Sequence, residues 1–486
     1  MDKSLVESLD NGTETNTRKQ IFCNRPLNMK NVNAVGFDMD YTLAQYKAET
    51  FESLAYEHTV RKLVDNFKYP SEMDCHKYVK VAYHGFEELS KEDKVQAYGK
   101  FFVSNSFDEP EYALVDTLFS LAEAYLFAQL VDFKDHNPEK IPQSVDYACL
   151  YKDVRNAVDM CHRDGTLKQK VAENPERYIN EDKSIVPMLK MLKESGRVTF
   201  LVTNSLWDYT CVVMNFICGS NGVNDGTKFD WLQYFDVVIT GSAKPNYFQE
   251  DNHANLFEVE PESGVLLNTN NGSPLPQVGN FAARVSTKDK NSAHKVFQGG
   301  NVSHLYPLLD IGSSSQILYV GDHIYGDILS SKKTLGWRTM LVIPELETEV
   351  QLVQKLRDDR KELRSLRSRC ADIEDKMHHL NQSLKLNCPD DDTKEKLNSE
   401  IDQLEVDRKN VRFDHQEALR ELHQQFHQPW GQLMRTGYQN SRFAQQVKRF
   451  ACLYTSKVSN LGMFSPDKYY RPSEDFMQHE YGILES

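Results

Sequence analysis

Short apolar runs punctuate an otherwise polar chain, and most of them stop abruptly at polar residues. They are Ala34–Phe37, Val198–Val202, Phe235–Thr240, the run opening at Ile317, and Arg338–Ile343. Each is four to six residues long and bounded by turn-forming or polar residues, the pattern of a strand buried on both faces. Between them the period lengthens to that of a helix. Leu54, Val60, Leu63 and Val64 predict a helix over 51–67, and Tyr209 to Phe216 follows the second run in the same way. Strand, turn and helix in alternation predict an α/β fold around a parallel sheet.

Two stretches break this rhythm. From Gly85 to Ile179 no strand pattern occurs, while Tyr112–Asp132 and Ser144–Arg163 are periodic and the second stops at Asp164-Gly165. This predicts a helical cap over 85–180, inserted between one part of the core at 21–84 and a second at 181–345. Residues 246–310, richer in Gly, Asn and Pro, predict hairpins decorating that second part. From Leu346 onward Leu356, Leu363, Leu366, Cys370, Ile373, Met377, Leu380 and Leu384 form a heptad-like seam. Asn387–Asp392 interrupts it, and Leu397, Ile401, Leu404, Val411, Ala418 and Leu422 form a return seam. An antiparallel, coiled-coil-like helical hairpin is therefore expected over 346–428, with 429–486 returning to the core and the polar residues 1–20 disordered.

Composition narrows the class. The 486 residues suffice for two or three domains, and 40% hydrophobic content is enough for a buried core. A net charge of −14 argues against nucleic acid as a partner. No run approaches the roughly 18 apolar residues of a membrane span, and residues 1–16 lack the apolar stretch of a secretory signal, so a cytoplasmic protein is expected. Nine cysteines without CxxC spacing suit a reducing compartment.

The chemistry lies where the strands end. Asp38 and Asp40 follow the first run, Thr203, Asn204 and Ser205 the second, Lys244 the third, and Asp322 with Asp327 the fourth. In open α/β sheets the carboxyl edge is where ligands bind. Two acids after a strand also describe a solvated loop, and Asn204 or Ser205 also suits an ordinary helix N-cap. Small polar groups before a helix can equally hold an anion. His323 lies between the last two acids, but a hard divalent ion held by carboxylates prefers oxygen, which assigns the imidazole to structure or to a place behind the ligands.

The ordered set, opening with Phe37-Asp38-Met39-Asp40-Tyr41-Thr42-Leu43, resembles the four motifs of the haloacid dehalogenase (HAD) superfamily of phosphatases, in its cytosolic 5'-nucleotidase branch. The resemblance implies a HAD-type, Rossmann-like parallel sheet. It also implies Asp38 as nucleophile, Asp40 as general acid and base, Thr203 as phosphate ligand and Lys244 as charge-neutralising lysine. Mg²⁺ is the implied cofactor, held by Asp38, Asp40 and Asp322, with Asp327 acting through water or a neighbouring ligand.

In the cap, Arg155, Asp159 and His162 share one helical face. A polar stripe of this kind also suits a solvated face. With Lys168, the stripe is similar to the purine-site helix of the cytosolic 5'-nucleotidase II family, with Phe119 as ring-stacking partner. The resemblance therefore implies hydrolysis of purine nucleoside monophosphates, IMP and GMP first, with nucleoside phosphotransfer as a side activity. Asn204 and Ser205 join Thr203 and Lys244 around the substrate phosphate. A nucleotide-effector site is partly matched by Tyr325, Lys333, Gln446 and Arg449. The chain departs from the family in the short run between Tyr69-Pro70 and Tyr83-His84-Gly85. A homo-oligomer, dimer or tetramer, is expected, with the helical hairpin as one place for self-association. Two other functions fit the same residues: a broader small-phosphomonoester phosphatase, and a non-catalytic scaffold acting through the hairpin.

Overall fold

The structure is a computed structural model that describes residues 21–47, 49–51, 54–55, 59, 83–98, 119–141, 145–219, 229–249, 251–270, 273–274, 295–386, 391–427 and 431–473. The chain divides into two compact units, Met1–Ile343 with Val447–Ser486, and Pro344–Gln446.

The first unit is built on one sheet. Its strands are β1 (Ile21–Cys23), β2 (Ala34–Phe37), β3 (Val198–Val202), β4 (Val237–Thr240), β5 (Leu256–Val259), β6 (Leu266–Asn270), β7 (Ser273–Pro274), β8 (Lys295–Gly299), β9 (Ile317–Gly321), β10 (Arg338–Val342) and β11 (Leu453–Thr455). Their order across the sheet is β1-β11-β10-β9-β2-β3-β4-β8-β5-β6-β7. From β11 to β8 neighbours run parallel, and both outer flanks are antiparallel. The five expected strands are the five at the centre, where apolar runs are covered on both faces.

Alternation along each strand sorts side chains between two cores. Val35, Phe37, Leu201, Val238, Leu318, Val320, Met340 and Val342 pack in one cluster. Ala34, Phe200, Val202, Val237, Ile239, Ile317 and Tyr319 pack in the other. Helix α5 (Ile185–Glu194) and helix α6 (Trp207–Ile217) contribute to the first cluster; α7 (Val302–Leu309) and the buried Trp337 contribute to the second. Gly36 is required by this packing, since a Cβ there would run into the Phe200 ring. The register places Phe37 opposite both Leu201 and Val320, and Val202 opposite Ile239. Four strand ends therefore lie along one edge.

One sheet member was not expected. Residues 246–310 read as peripheral hairpins, yet β8 lies parallel to β4 within the sheet and only β5 to β7 form the antiparallel decoration. The Lys-Val-Phe-Gln-Gly run is too short and polar to stand out by periodicity; its neighbours make it a strand. Residues 275–294 lie outside the described residues.

The inserted segment leaves and re-enters the core side by side. Lys47 N donates to Tyr178 O at 2.7 Å, Asn180 N donates to Gln45 O at 2.8 Å, and Tyr46 bridges Ile179. Within the insertion lie α1 (Lys91–Tyr98), α2 (Phe119–His136), α3 (Tyr147–Arg163) and α4 (Thr166–Glu173). Leu126, Leu130 and Val131 of α2 pack on Leu150, Val154 and Ala157 of α3. Most of the helix expected over 51–67 and all of 99–118 lie outside the described residues.

The second unit contains α8 (Leu346–Lys355), α9 (Arg357–Leu386) and α10 (Asp391–Phe426). Ile373, Met377 and Val411 are buried between α9 and α10, with Leu366, Cys370, Ile401 and Leu404 against them. α9 and α10 thus form a helical hairpin. Its unit extends further than 428, because Glu349 accepts hydrogen bonds from Gln432 Nε2 at 3.0 Å and Met434 N at 3.2 Å, and Arg367 lies over the Tyr438 ring at 4.3 Å. The return to the first unit comes at Val447. Among the described residues no helix is long and apolar enough to cross a membrane.

Candidate active site

Asp38 leaves β2 with its backbone still tied to the sheet, its N–H donating to Val320 O at 2.9 Å. The turn that follows folds back on Met39, whose carbonyl accepts from Leu43 N and Ala44 N. Asp38 Oδ1 accepts Met39 N at 2.7 Å, while Oδ2 lies 2.7 Å from Lys244 Nζ. Lys244 arrives from the end of β4 with a side chain only 3% exposed. It also lies 2.7 Å from Asp327 Oδ1 and 3.1 Å from the Tyr319 hydroxyl of β9. One ammonium is thus shared by two carboxylates and a phenol.

β9 ends in Gly321, and Asp322 follows. A Cβ at position 321 would stand 2.5 Å from Asp327 Cβ, so the bare glycine is what lets Asp327 turn back toward the strand end. Thr42 Oγ1 donates to Asp322 Oδ1 at 3.1 Å. Asp38, Asp322 and Asp327 each present an oxygen within 4.8 Å of the others. Three hard oxygen donors at that spacing suit a small divalent cation such as Mg²⁺.

Of the acids expected to hold an ion, Asp38 and Asp322 lie in this carboxylate cluster; Asp327, expected to act through water or a neighbouring ligand, lies in it too, and the Asp40 side chain does not. The Asp40 carboxylate is turned elsewhere by two hydroxyls, Tyr46 Oη donating to Oδ1 at 2.5 Å and Ser205 Oγ donating to Oδ2 at 2.5 Å. Tyr46 Oη contacts Tyr209 Oη at 2.8 Å, and Lys168 Nζ donates to Ser205 Oγ at 2.8 Å. His323 Nδ1 accepts Tyr325 N at 3.2 Å and Gly326 N at 2.9 Å, capping the turn that carries Asp327.

The electrostatics follow from burial and proximity. Burial pushes the Asp38 carboxyl up to about 7, Lys244 pulls against it, and Asp327 adds to the rise. Burial, then the charges of Asp327 and Asp38, hold Asp322 well above the ordinary carboxyl range. Burial disfavours the Lys244 charge, but Asp327 and Asp38 outweigh it and keep the ammonium firmly protonated. Without added positive charge the cluster holds more acid than one lysine can balance.

Thr203 is fully buried at the end of β3; its N–H donates to Ile239 O at 2.9 Å and its Oγ1 accepts Ser205 N at 3.1 Å. The Asn204 side chain is already engaged. Its Oδ1 accepts Lys244 N at 2.6 Å and Ser242 Oγ at 2.9 Å, and its Nδ2 donates to Lys244 O at 3.1 Å. It clamps the Lys244 loop. Neither Asn204 nor Ser205 caps α6, because Leu206 occupies the N-cap position and makes no side-chain cap bond.

In the insertion, Arg155 and Asp159 meet on α3, with Nη2 3.6 Å from Oδ1. Arg155 Nη1 donates to Glu123 Oε2 at 2.7 Å; Glu123 is 5% exposed, whereas the Arg155 side chain is 53% exposed. The guanidinium is anchored at one end by the buried Glu123, and its other, solvent-open side faces Asp159. Sequence reasoning missed Glu123, although an acid inside the apolar periodicity of α2 was a usable signal. Lys168 reaches the core at Ser205, but the side chains of Phe119 and His162 lie outside the described residues. Of the expected effector residues, Tyr325 is in the capped turn, Lys333 is exposed, and the Arg449 guanidinium lies 5.1 Å over the Phe450 ring. Gln446 is the last residue of the other unit.

A family model described as "5' nucleotidase family" matches residues 21–75 and 71–482. A 5'-nucleotidase domain-containing protein of Dictyostelium discoideum is 26% identical over 514 residues, spanning 99% of this chain and 77% of that protein. The 5'-nucleotidase domain-containing protein 2 of Homo sapiens is 25% identical over 496 residues, spanning 95% of this chain and 85% of that protein. Among solved structures, a HAD phosphatase from Thermococcus onnurineus aligns at a TM-score of 0.26 and 14% identity, covering 64% of this chain and 87% of that one.

Proposed function

The chain belongs to the 5'-nucleotidase family, and from that premise we propose that it hydrolyses purine nucleoside monophosphates, IMP and GMP before AMP, at the Asp38 site with Mg²⁺ bound. The observation that carries the reading is the meeting of Lys244 with Asp38 and Asp327, 2.7 Å from each, beside Asp322 at the carboxyl edge of the sheet. Asp38, Asp322 and Asp327 would hold the ion. Bound there, Mg²⁺ would supply the positive charge that lets a phosphate dianion approach acids.

The remaining chemistry belongs to the protein. Asp38 attacks phosphorus in line, a P–O bond to its carboxylate forms, and the bond to the nucleoside 5'-oxygen breaks. Asp40 donates a proton to that leaving oxygen. It then takes a proton from water, which attacks the aspartyl-phosphate, releases phosphate and regenerates Asp38. A nucleoside hydroxyl in place of water would give phosphotransfer. Lys244 balances charge on the phosphoryl oxygens throughout.

Base choice rests on the insertion. The open side of Arg155 can donate to O6 and N7 of a 6-oxopurine, and Asp159 can accept from N1–H. Adenine reverses the donor pattern at N1 and position 6, leaving both side chains unmatched. Phosphate release from IMP, GMP, AMP and CMP, with Mg²⁺ and with EDTA, tests the reading directly. Equal turnover of nucleotides and simple phosphomonoesters would favour a broad phosphatase instead.

A further inference from the structure

Two hydrogen-bond relays end on Asp40, and while its carboxyl group is ionised the proton count fixes the direction of each. Lys168 Nζ can only donate, so its 2.8 Å contact makes Ser205 Oγ an acceptor and sends the serine proton to Asp40 Oδ2. On the other side Tyr46 gives its single proton to Asp40 Oδ1, so the 2.8 Å contact with Tyr209 must carry the Tyr209 proton to Tyr46. Lys168 and Ser205 already belong to the substrate site by resemblance. Tyr46 and Tyr209 have no assigned role.

Both tyrosines are held in place. The Tyr46 ring centroid packs 4.9 Å from that of Tyr41 and 4.5 Å from that of Phe51, and its backbone bridges Ile179 where the insertion re-enters the core. Tyr209 is 7% exposed on α6, a different element from the turn that carries Asp40. An aspartate has two soft side-chain torsions, and donors of fixed position on its two oxygens define the plane of the carboxyl group.

We propose that Tyr46, backed by Tyr209, is a positioning residue for the proton-transfer step: it orients the Asp40 carboxyl group toward the leaving oxygen. The inference rests on the assignment of Asp40 as acid and base in the reaction proposed above. Its signature is dependence on the leaving group. A nucleoside alkoxide needs a proton to depart, whereas p-nitrophenolate does not, so misorienting the acid slows the first and spares the second.

The test compares wild type, Tyr46→Phe and Tyr209→Phe as full chains in Mg²⁺, with kcat/KM measured on IMP and on p-nitrophenyl phosphate and melting curves recorded for each. Tyr46→Phe is expected to lose about ten- to a hundredfold on IMP and less than about threefold on p-nitrophenyl phosphate, with Tyr209→Phe changed in the same sense by less. Equal losses on both substrates, or none on either, overturn the proposal. Should Tyr46→Phe fail to fold, Tyr209→Phe, which does not touch Asp40, carries the same ratio. If wild type cleaves p-nitrophenyl phosphate but no nucleotide, the substrate assignment fails separately, and glycerol 3-phosphate replaces IMP in the comparison. If wild type cleaves no phosphoester, both readings fall.

Discussion

Asp327 holds the Lys244 ammonium at 2.7 Å while lying within the same 4.8 Å cluster as Asp38 and Asp322. Asp327 therefore belongs to the carboxylate cluster and shares its lysine. Each consequence can be measured.

Removing the lysine charge should destabilise the fold. Lys244→Met leaves buried carboxylates facing one another without compensation, and loss of one partner from a buried ion pair costs about 3–5 kcal/mol. Urea unfolding at pH 8 in EDTA measures it. Adding Asp327→Asn should recover a large part of the loss; an unchanged midpoint for Lys244→Met would show the pair to be energetically idle.

Stability without metal should fall as pH rises toward neutrality. Asp38 titrates near 3.8 when unfolded and about 7 when folded, so between these values the native state binds more protons than the unfolded chain. Its contribution is complete below the lower value and is lost as pH passes through the upper. Melting temperatures in EDTA from pH 4.5 to 8, compared between wild type and Asp38→Asn, should show a steeper decline in wild type. Parallel curves would contradict the shift.

Magnesium should reverse this decline by favouring the ionised cluster. Ligand at about a hundredfold over its dissociation constant stabilises by roughly 2.7 kcal/mol. Thermal melts with increasing MgCl₂ should therefore rise for wild type and stay flat for Asp322→Asn, independently of any assay of turnover.

Asp38→Asn should lower phosphate release by about a thousandfold or more while retaining the fold, because the proposed nucleophile is lost and a buried negative charge is removed. Arg155→Ala should lower kcat/KM for IMP by roughly ten- to a hundredfold, the scale of one lost polar recognition pair, and leave p-nitrophenyl phosphate nearly untouched. Phosphate release followed on both substrates distinguishes chemistry from recognition. An Arg155→Ala variant slowed equally on both would remove the argument for purine selection.

Much of the architecture was legible because burial on both faces leaves a strong local trace. The five apolar runs became the five central strands, and the leucine seams became α9 and α10. β8 left no such trace, since Lys295 to Gly299 is a strand only by virtue of β4 and β5 beside it. The end of the second unit was invisible for a related reason: Glu349 contacts Gln432 and Met434 more than eighty positions later.

The site divides along the same line. By itself the sequence determined which polar residues terminate the strands, since strand ends are written in local periodicity: Asp38, Thr203, Lys244 and Asp322 stand where expected. Only the tertiary structure decided which of two nearby acids joins the carboxylate cluster. Asp40 and Asp327 each follow a strand-terminating aspartate, and spacing cannot separate them. The difference lies in distant partners: Tyr46 and Ser205 draw Asp40 away, whereas Gly321 and Lys244 draw Asp327 in. A carboxylate's orientation is set by the donors around it, and those donors are assembled by folding.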